Sequence, residues 1–191
     1  MWQQTVTSKI LSQAAILEEQ GVENKNMLAW AKTVRSGDLD NLEGRAAAYY
    51  WRNVFHNTDF VRGQEGDPPN NLLNYGYAIV RAMVARALVA AGLLPTVGIH
   101  HHNKYNAYCL ADDIMEPYRP FVDLLVIDMM KKYEDISQIT TEMKRDLLML
   151  PYEDVMIDGK RSPMMIAIQT TANSVYKCFS GEARKIIYPD W

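Results

Sequence analysis

Apolar side chains recur along most of this chain at the spacing expected of amphipathic helices. Near the N-terminus an apolar residue falls at every third or fourth position from Val6 to Leu17, and Gly21 follows as a residue on which helices commonly end. The same period predicts two further helices, over residues 26 to 35 and 42 to 55. The first part of the chain is therefore expected to be helical.

The most apolar stretch follows a polar loop that is rich in glycine and proline. We predict that a helix starts at Pro68 with Asp67 as its N-cap. It is apolar around most of its circumference, which is typical of a helix buried at the centre of a domain. Arg81 and Arg86 interrupt the run, so we predict no membrane span. Polar groups near the helix start need partners in a core and are expected to line a cleft: Asn74, Tyr75 and Tyr77.

The second half of the chain is again mostly helical in pattern. We predict helices over residues 110 to 133 and 137 to 148, and a last helix that opens at Ser162. An Asp-Gly pair separates two short extended runs, which predicts a tight hairpin near residues 155 to 161. The expected fold class is mainly α, with this hairpin as a small β element.

Composition narrows the class of protein. With 191 residues and 48% hydrophobic content, the chain is long and apolar enough for one globular domain with a substantial core. The formal net charge of −3 argues against a generally basic nucleic-acid-binding surface, although a local basic groove is compatible with it. Cys109 and Cys178 stand far apart without a CxxC motif, which favours reduced thiols and a cytoplasmic location.

Ionisable side chains concentrate between Gly98 and Arg119. Three consecutive histidines precede three acids there: His100, His101, His102, Asp112, Asp113 and Glu116. Asp113 and Glu116 stand three residues apart and so share one helical face. Loop histidines with helical carboxylates suit magnesium or manganese where carboxylates dominate, and zinc where histidine or cysteine dominates. A solvated first helical turn is the alternative; it accounts for Asp112 but not for three adjacent histidines.

Glu43 is a second unusual acid, because it lies on a helical face made mostly of small residues. An acid on a packing face normally requires an arginine or a metal ion as partner. From the residues alone, a solvated glutamate is the more common outcome and is favoured here.

Three motifs, in their order along the chain, resemble the helical catalytic domain of the CRISPR adaptation integrase family, most closely its type II members. They are LEGRAAAYYW, NNLLNYGYAIVR and GIHHHNKYNAYCLADDIMEPYRPFVD. The resemblance implies that Glu43, His101 and Glu116 are catalytic residues that bind magnesium or manganese. It also implies that Asp113 lies near the metal. We expect His100 and His102 to contact DNA or solvent instead.

The resemblance also implies a function. The family inserts new spacers into a CRISPR array by transesterification, in which the 3′-hydroxyl of a captured DNA fragment attacks a phosphodiester at a repeat. The implied partners are double-stranded DNA, as prespacer and CRISPR repeat, and a small second adaptation subunit; full-length members form homodimers. A β-rich domain normally precedes the catalytic helices, so residues 1 to 191 are expected to be the helical catalytic domain without it. Five basic residues are candidate phosphate contacts: Arg45, Arg62, Arg81, Lys104 and Arg119.

Alternatives remain for both the residues and the function. Each candidate phosphate contact can instead pair with a nearby carboxylate. A metal-dependent nuclease could hydrolyse DNA or RNA with the same ligands without joining ends. A non-catalytic DNA-binding or assembly module would bind DNA and do neither.

Overall fold

The computed structural model describes residues 1–56 and 59–191, and these residues are mainly helical, as predicted. The helices are α1 (Trp2–Glu19), α2 (Lys25–Thr33), α3 (Leu42–Asn53), α4 (Asn70–Ala90), α5 (Cys109–Met115), α6 (Arg119–Lys132), α7 (Thr141–Leu147) and α8 (Met164–Phe179). The strands are β1 (Asp154–Ile157), β2 (Lys160–Pro163) and β3 (Pro189–Asp190). Short 3₁₀ turns cover Ser36–Asp38, Glu116–Tyr118 and Leu150–Tyr152.

Helix α4 lies at the centre of the larger of two apolar clusters, where it packs with α5, α6 and α8. Its apolar side chains, such as Val80 and Leu88, are fully buried. Among the described residues, α4 is the helix long and apolar enough to cross a membrane, but 56% of its most apolar window is buried inside the protein. The burial agrees with the prediction of a central core helix.

The predicted start of α4 at Pro68 was wrong by two residues, since the helix begins at Asn70. The Asn70 side chain, in the first turn of α4, binds the backbone of the loop that precedes the helix. It accepts the N–H of Gly63 and donates to the carbonyls of Val61 and Asp67, so it holds the preceding loop against the first turn.

The second apolar cluster joins α1, α2 and α3, with Ile127 of α6 at its edge. Val6, Ile10 and Ala14 are fully buried in it, on the face that helical spacing predicts. Helix α1 packs against both α3 and the Glu116–Tyr118 turn. This packing brings three sequence-distant segments together at one point.

The predicted helix over residues 110 to 133 is not continuous. Helix α5 ends at Met115, a 3₁₀ turn follows, and α6 begins at Arg119. Pro117 and Pro120 lack the N–H that an uninterrupted α-helix would need at these positions. The break turns Glu116 out of either helix and into the protein interior, where it is 5% exposed.

The predicted hairpin is confirmed as β1 and β2, which pair antiparallel with Ile157 opposite Lys160. Asp158 and Gly159 both have positive φ, as the tight turn requires. Strand β3 adds to the other edge of β1. The prediction that the last helix opens at Ser162 was wrong, because this residue pairs in β2 and α8 begins at Met164.

Candidate active site

A cleft of about 680 Å³ opens between α1, α4 and the α5–α6 segment. Asn74 and Tyr77 line it, as predicted, whereas Tyr75 packs against the larger apolar cluster. Its charged lining within the described residues comprises Lys9, Arg62, Arg81, His101, Asp112, Glu116, Arg119 and Asp123. Within this lining, three arginines and Lys9 stand against three acids, so the cleft has a small local excess of basic groups despite the negative net charge of the chain.

Two of the three predicted ligands, Glu43 and Glu116, meet at Lys9, which lines this cleft. The ammonium of Lys9, on α1, lies 2.7 Å from Oε1 of Glu43 and 2.5 Å from Oε2 of Glu116. The three side chains are 12%, 23% and 7% exposed, so the contact is largely shielded from solvent. The sequence interpretation of Glu43 as a solvated residue is therefore wrong: it has a cationic partner.

Each carboxylate oxygen of Glu116 contacts a cationic side chain. Nε of Arg119 lies 3.0 Å from Oε1, opposite the Lys9 contact. Burial raises the pKa of Glu116, but the Lys9 and Arg119 charges outweigh burial and leave the pKa below its ordinary value. Burial likewise lowers the pKa of Lys9, and attraction to Glu116 and Glu43 raises it above its ordinary value. Both groups are therefore charged near neutral pH.

Asp113 organises the histidine loop. Its carboxylate is fully buried and accepts the backbone N–H groups of Ile99, His100 and His101 at 2.5, 2.8 and 3.2 Å. A Cβ on Gly98 would collide with the His101 carbonyl oxygen, so a glycine is needed where the loop folds over α5. Asp113 thus faces the loop backbone, and it fixes where the histidines lie.

His101 is the histidine of the run that lines the cleft. Its Nδ1 lies 2.5 Å from Oδ1 of Asp113, so the ring can offer only Nε2 to a ligand. Metal-binding histidines commonly use the second ring nitrogen in this way, because a carboxylate fixes the tautomer and orientation. The hydrogen bond that the His101 ring makes to the Asp113 carboxylate raises the pKa of His101 above its ordinary value, although burial opposes it.

The neighbouring histidines face elsewhere. The His100 ring stacks on Trp2 with centroids 4.2 Å apart and planes 3° from parallel. Nδ1 of His102 lies 2.5 Å from the His100 carbonyl oxygen, and the residue is exposed. Adjacent loop side chains therefore point in different directions, as expected for consecutive residues.

The candidate phosphate contacts divide into two groups. Within the described residues, the cleft lining includes Arg62, Arg81 and Arg119 but neither Arg45 nor Lys104. Arg45 lies over the ring of Trp30, 5.2 Å from its centroid, and Lys104 lies over Tyr105 at 4.8 Å. The structure brings together three of the five.

Each cleft arginine already has protein partners. Arg62 donates to Asn70 and Asn74, and Arg81 pairs with Asp112 at 2.8 Å. The guanidinium groups of Arg62 and Arg119 also lie over the Tyr77 ring, 5.1 and 4.6 Å from its centroid. These partners hold the guanidinium groups in place at the cleft.

Asp123 beneath the cleft was missed by sequence reasoning. It is 1% exposed and accepts hydrogen bonds from the hydroxyls of Tyr50, at 2.9 Å, and Tyr77. Burial raises its pKa to about 6, even though both hydrogen bonds favour the charged form. Arg62 and Arg119 lie over the Tyr77 ring. By accepting the Tyr77 hydroxyl, Asp123 therefore helps to fix the ring against which these two arginines pack.

Lys9 was also missed, although a signal for it exists. Thr5, Lys9 and Gln13 follow each other at intervals of four and form a polar stripe beside the apolar face of α1. Thr5 and Gln13 are buried. A polar stripe that borders the core at helical spacing is the pattern that could have drawn attention to the lysine.

The side chains fit a metal ion only in part. The carboxylates of Glu43 and Glu116 converge on one cation position, where Nζ of Lys9 contacts Oε1 of Glu43 and Oε2 of Glu116. Yet no group of three or more His, Cys, Asp or Glu among residues 1–56 and 59–191 is arranged to hold a metal. The position between the two carboxylates is taken by the Lys9 ammonium.

Comparison with known proteins agrees with the motifs. The profile of the family described as CRISPR associated protein Cas1 matches residues 2–149, which is most of the chain. The chain belongs to the Cas1 family. The expected family is therefore confirmed.

Curated Cas1 relatives are similar over most of this chain. It is 36% identical over 176 residues to the CRISPR-associated endonuclease Cas1 of Neisseria meningitidis. The aligned region covers 91% of this chain and 57% of that protein. It is also 36% identical over 155 residues to a Cas1 endonuclease from Pyrobaculum aerophilum. This second aligned region covers 80% of this chain and 51% of that protein. The chain thus spans about half the length of the curated relatives that it matches.

Solved structures share the fold. A Cas1 protein from Thermotoga maritima matches with a TM-score of 0.78 at 18% identity, over 95% of this chain and 65% of that one. A casposase bound to its integration product matches with the same TM-score at 22% identity, over 97% of this chain and 61% of the casposase chain. A chain of a Cas6-RT-Cas1–Cas2 complex matches with a TM-score of 0.73 at 20% identity, over 95% of this chain and 24% of that chain. These likenesses confirm the mainly helical Cas1 fold.

Proposed function

We propose that this chain provides the catalytic domain of a metal-dependent DNA integrase and endonuclease, which inserts new spacers into a CRISPR array by transesterification. The observation that carries the proposal is the cleft itself. Its lining places Glu116 and His101 beside three arginines, and Lys9 of the same lining contacts the carboxylate of Glu43, in a protein of the Cas1 family. Acids that can hold a cation next to arginines that can hold phosphates are what phosphodiester chemistry requires.

Glu43, His101 and Glu116 would hold magnesium or manganese. A metal ion bound there would polarise the scissile phosphate and stabilise the negative charge that develops on it. Asp113 keeps His101 in the tautomer that presents Nε2. A donor set of two carboxylates and one imidazole favours metals that accept both oxygen and nitrogen ligands.

The arginines bind and orient DNA in this proposal. Arg62, Arg81 and Arg119 lie along the cleft where a phosphate backbone would approach the carboxylate pair. Guanidinium groups suit this task because they can donate two parallel hydrogen bonds to one phosphate. The Tyr77 ring beneath Arg62 and Arg119 keeps both guanidinium groups close to the reacting bond.

The proposed partners are double-stranded DNA, as prespacer and repeat, and a small second adaptation subunit, with a homodimer as the assembly. One structural neighbour is a complex that contains Cas2 together with a Cas6-RT-Cas1 protein. Another neighbour is a casposase that is bound to its integration product. We extend these associations to the present chain as a proposal.

Hydrolysis without joining is the second candidate function. The curated relatives bear the name endonuclease, which states cleavage and not strand transfer. A hydrolytic enzyme would use the same cleft with water in place of a DNA 3′-hydroxyl.

A product assay separates the two functions. Residues 1–191 would be incubated with manganese and end-labelled DNA, either linear or branched as in an integration intermediate. We expect joined strands from the branched substrate. Cleaved strands without joined ones would support the nuclease, and binding without either product would support a non-catalytic module.

A further inference from the structure

Lys9 occupies the point on which the two predicted carboxylate ligands converge. Its ammonium is within 2.7 Å of both Glu43 and Glu116, and it belongs to the wall of the cleft. Arg119 neutralises the remaining oxygen of Glu116. These two cations and two carboxylates form a group whose charges balance without a metal ion.

A metal ion and the ammonium cannot share this position. Magnesium lies about 2.0 to 2.1 Å from its oxygen ligands, so an ion bound by both carboxylates would stand where Nζ now lies. A divalent ion added to a group that is already neutral would also leave an uncompensated double charge in a shielded site. Metal binding therefore requires that the ammonium leave the carboxylates.

Lys9 has a route by which to leave. A lysine side chain carries its charge on a flexible four-carbon stem, and this one already borders the open cleft. Rotation of the stem would carry the ammonium from the carboxylate pair to solvent without movement of α1. Arg119, which contacts only one of the two carboxylates, can remain in place.

We propose that Lys9 is a resident cation which stabilises the metal-free site and competes directly with divalent metal for Glu43 and Glu116. This inference rests on the proposed function, because it assumes that the carboxylates bind metal. In the metal-free protein the ammonium keeps two acids from repelling each other. On metal binding it moves into the cleft, so the apparent metal affinity includes the free energy of displacing it.

Calorimetric titration with manganese tests the competition. Lys9→Met keeps a stem of similar length without the charge, and we expect it to bind manganese about tenfold more tightly than the parent. Lys131→Met is the matched control, since it removes an exposed lysine that pairs with the nearby Asp128. Its affinity should stay at that of the parent. Equal or weaker manganese binding by Lys9→Met would overturn the inference while leaving the metal site intact.

Failure of the proposed function gives a different result. If neither the parent nor Lys9→Met binds manganese, the metal site itself is absent, and the inference falls with it. Tight binding by both at equal affinity removes only the role of Lys9.

A second measurement uses the parent protein and does not depend on the folding of a variant. An amine-modifying reagent followed by mass spectrometry reports how accessible each lysine is. We expect magnesium to speed modification of Lys9 on the order of tenfold, while the exposed Lys25 and Lys131 react at unchanged rates. Unchanged protection of Lys9 at saturating magnesium would show that the ammonium does not leave, and would refute the displacement.

Discussion

Asp113 illustrates at the residue scale how one buried acid sets the chemistry of a neighbour. It holds three loop N–H groups and the His101 ring. Because both oxygens are engaged in this way, Asp113 acts on the site through His101. Its contribution should be visible in both the stability of the protein and the titration of the histidine.

Asp113→Asn should lower the pKa of His101 toward its ordinary value, since the hydrogen bond from the His101 ring to Asp113 is the main cause of the rise. The amide also leaves part of the loop without acceptors, which we expect to cost about 1 to 3 kcal/mol in unfolding free energy. Histidine NMR titration and denaturant unfolding measure the two effects. Asp112→Asn is the control and should shift the His101 pKa less. Identical His101 titrations in the parent and Asp113→Asn would contradict this account.

Asp123 should make stability depend on pH. Burial raises its folded pKa from 3.8 to about 6, so the folded state favours the protonated form. The stabilisation is complete below the unfolded pKa and is lost as pH rises through about 6. Between pH 4 and pH 7 we expect a loss of about 2 kcal/mol in unfolding free energy from this group. In Asp123→Asn this pH-dependent component should disappear; an unchanged pH profile would show that Asp123 is not its source.

Two signals in the sequence led to His101 and Glu116. The density of ionisable groups drew attention to the segment from Gly98 to Arg119, the family resemblance chose these two residues within it, and the structure places both in the lining of one cleft. Lys9 and Asp123 lie outside that segment, and the polar stripe on α1 that could have drawn attention to Lys9 does not reveal which residues it contacts. Their roles arise only when α1 and α6 pack beside the site and bury their charges.

At the scale of elements, helical periodicity located the helices but not all of their ends. The break at Glu116–Tyr118 was missed because the acidic and apolar spacing continues through it. The start of α8 was misplaced because pairing of β2 with β1 competes with helix formation at Ser162. The second error reflects strand pairing that helical periodicity does not contain, whereas the first passed over Pro117 and Pro120, which mark the break in the sequence itself.

Gly76 shows how closely α4 and α6 approach. A Cβ there would collide with Cγ1 of Val122 and lie 3.4 Å from Cδ2 of Leu147. Gly76→Ala should gain about 1 kcal/mol in helix propensity but lose about 1 to 3 kcal/mol through overpacking. We expect net destabilisation of about 1 kcal/mol, measured by denaturant unfolding. Ala82→Leu adds more volume at an exposed position of α4 and should be nearly neutral; a stabilised Gly76→Ala would show that the helices can separate.

At the scale of the whole molecule, DNA binding should depend on a local basic surface and not on net charge. Three cleft arginines would release counterions from bound phosphates, so binding should weaken steeply with salt. Arg62→Ala should reduce the slope of log affinity against log salt by about one. Arg45→Ala is the matched control, because Arg45 lies over Trp30 and outside the cleft lining. Equal slopes for both variants would contradict the placement of DNA in the cleft.

The central claim is that the Glu43 and Glu116 carboxylates support metal-dependent joining of DNA. The most direct measurement is the amount of joined product that residues 1–191 form from a branched DNA substrate in manganese. We expect Glu116→Gln to lower it by a factor of about 100 or more, and chelation of the metal to abolish it. Glu142→Gln, an exposed acid on α7, should join as well as the parent. Undiminished joining by Glu116→Gln, or joining that persists after chelation, would contradict the account.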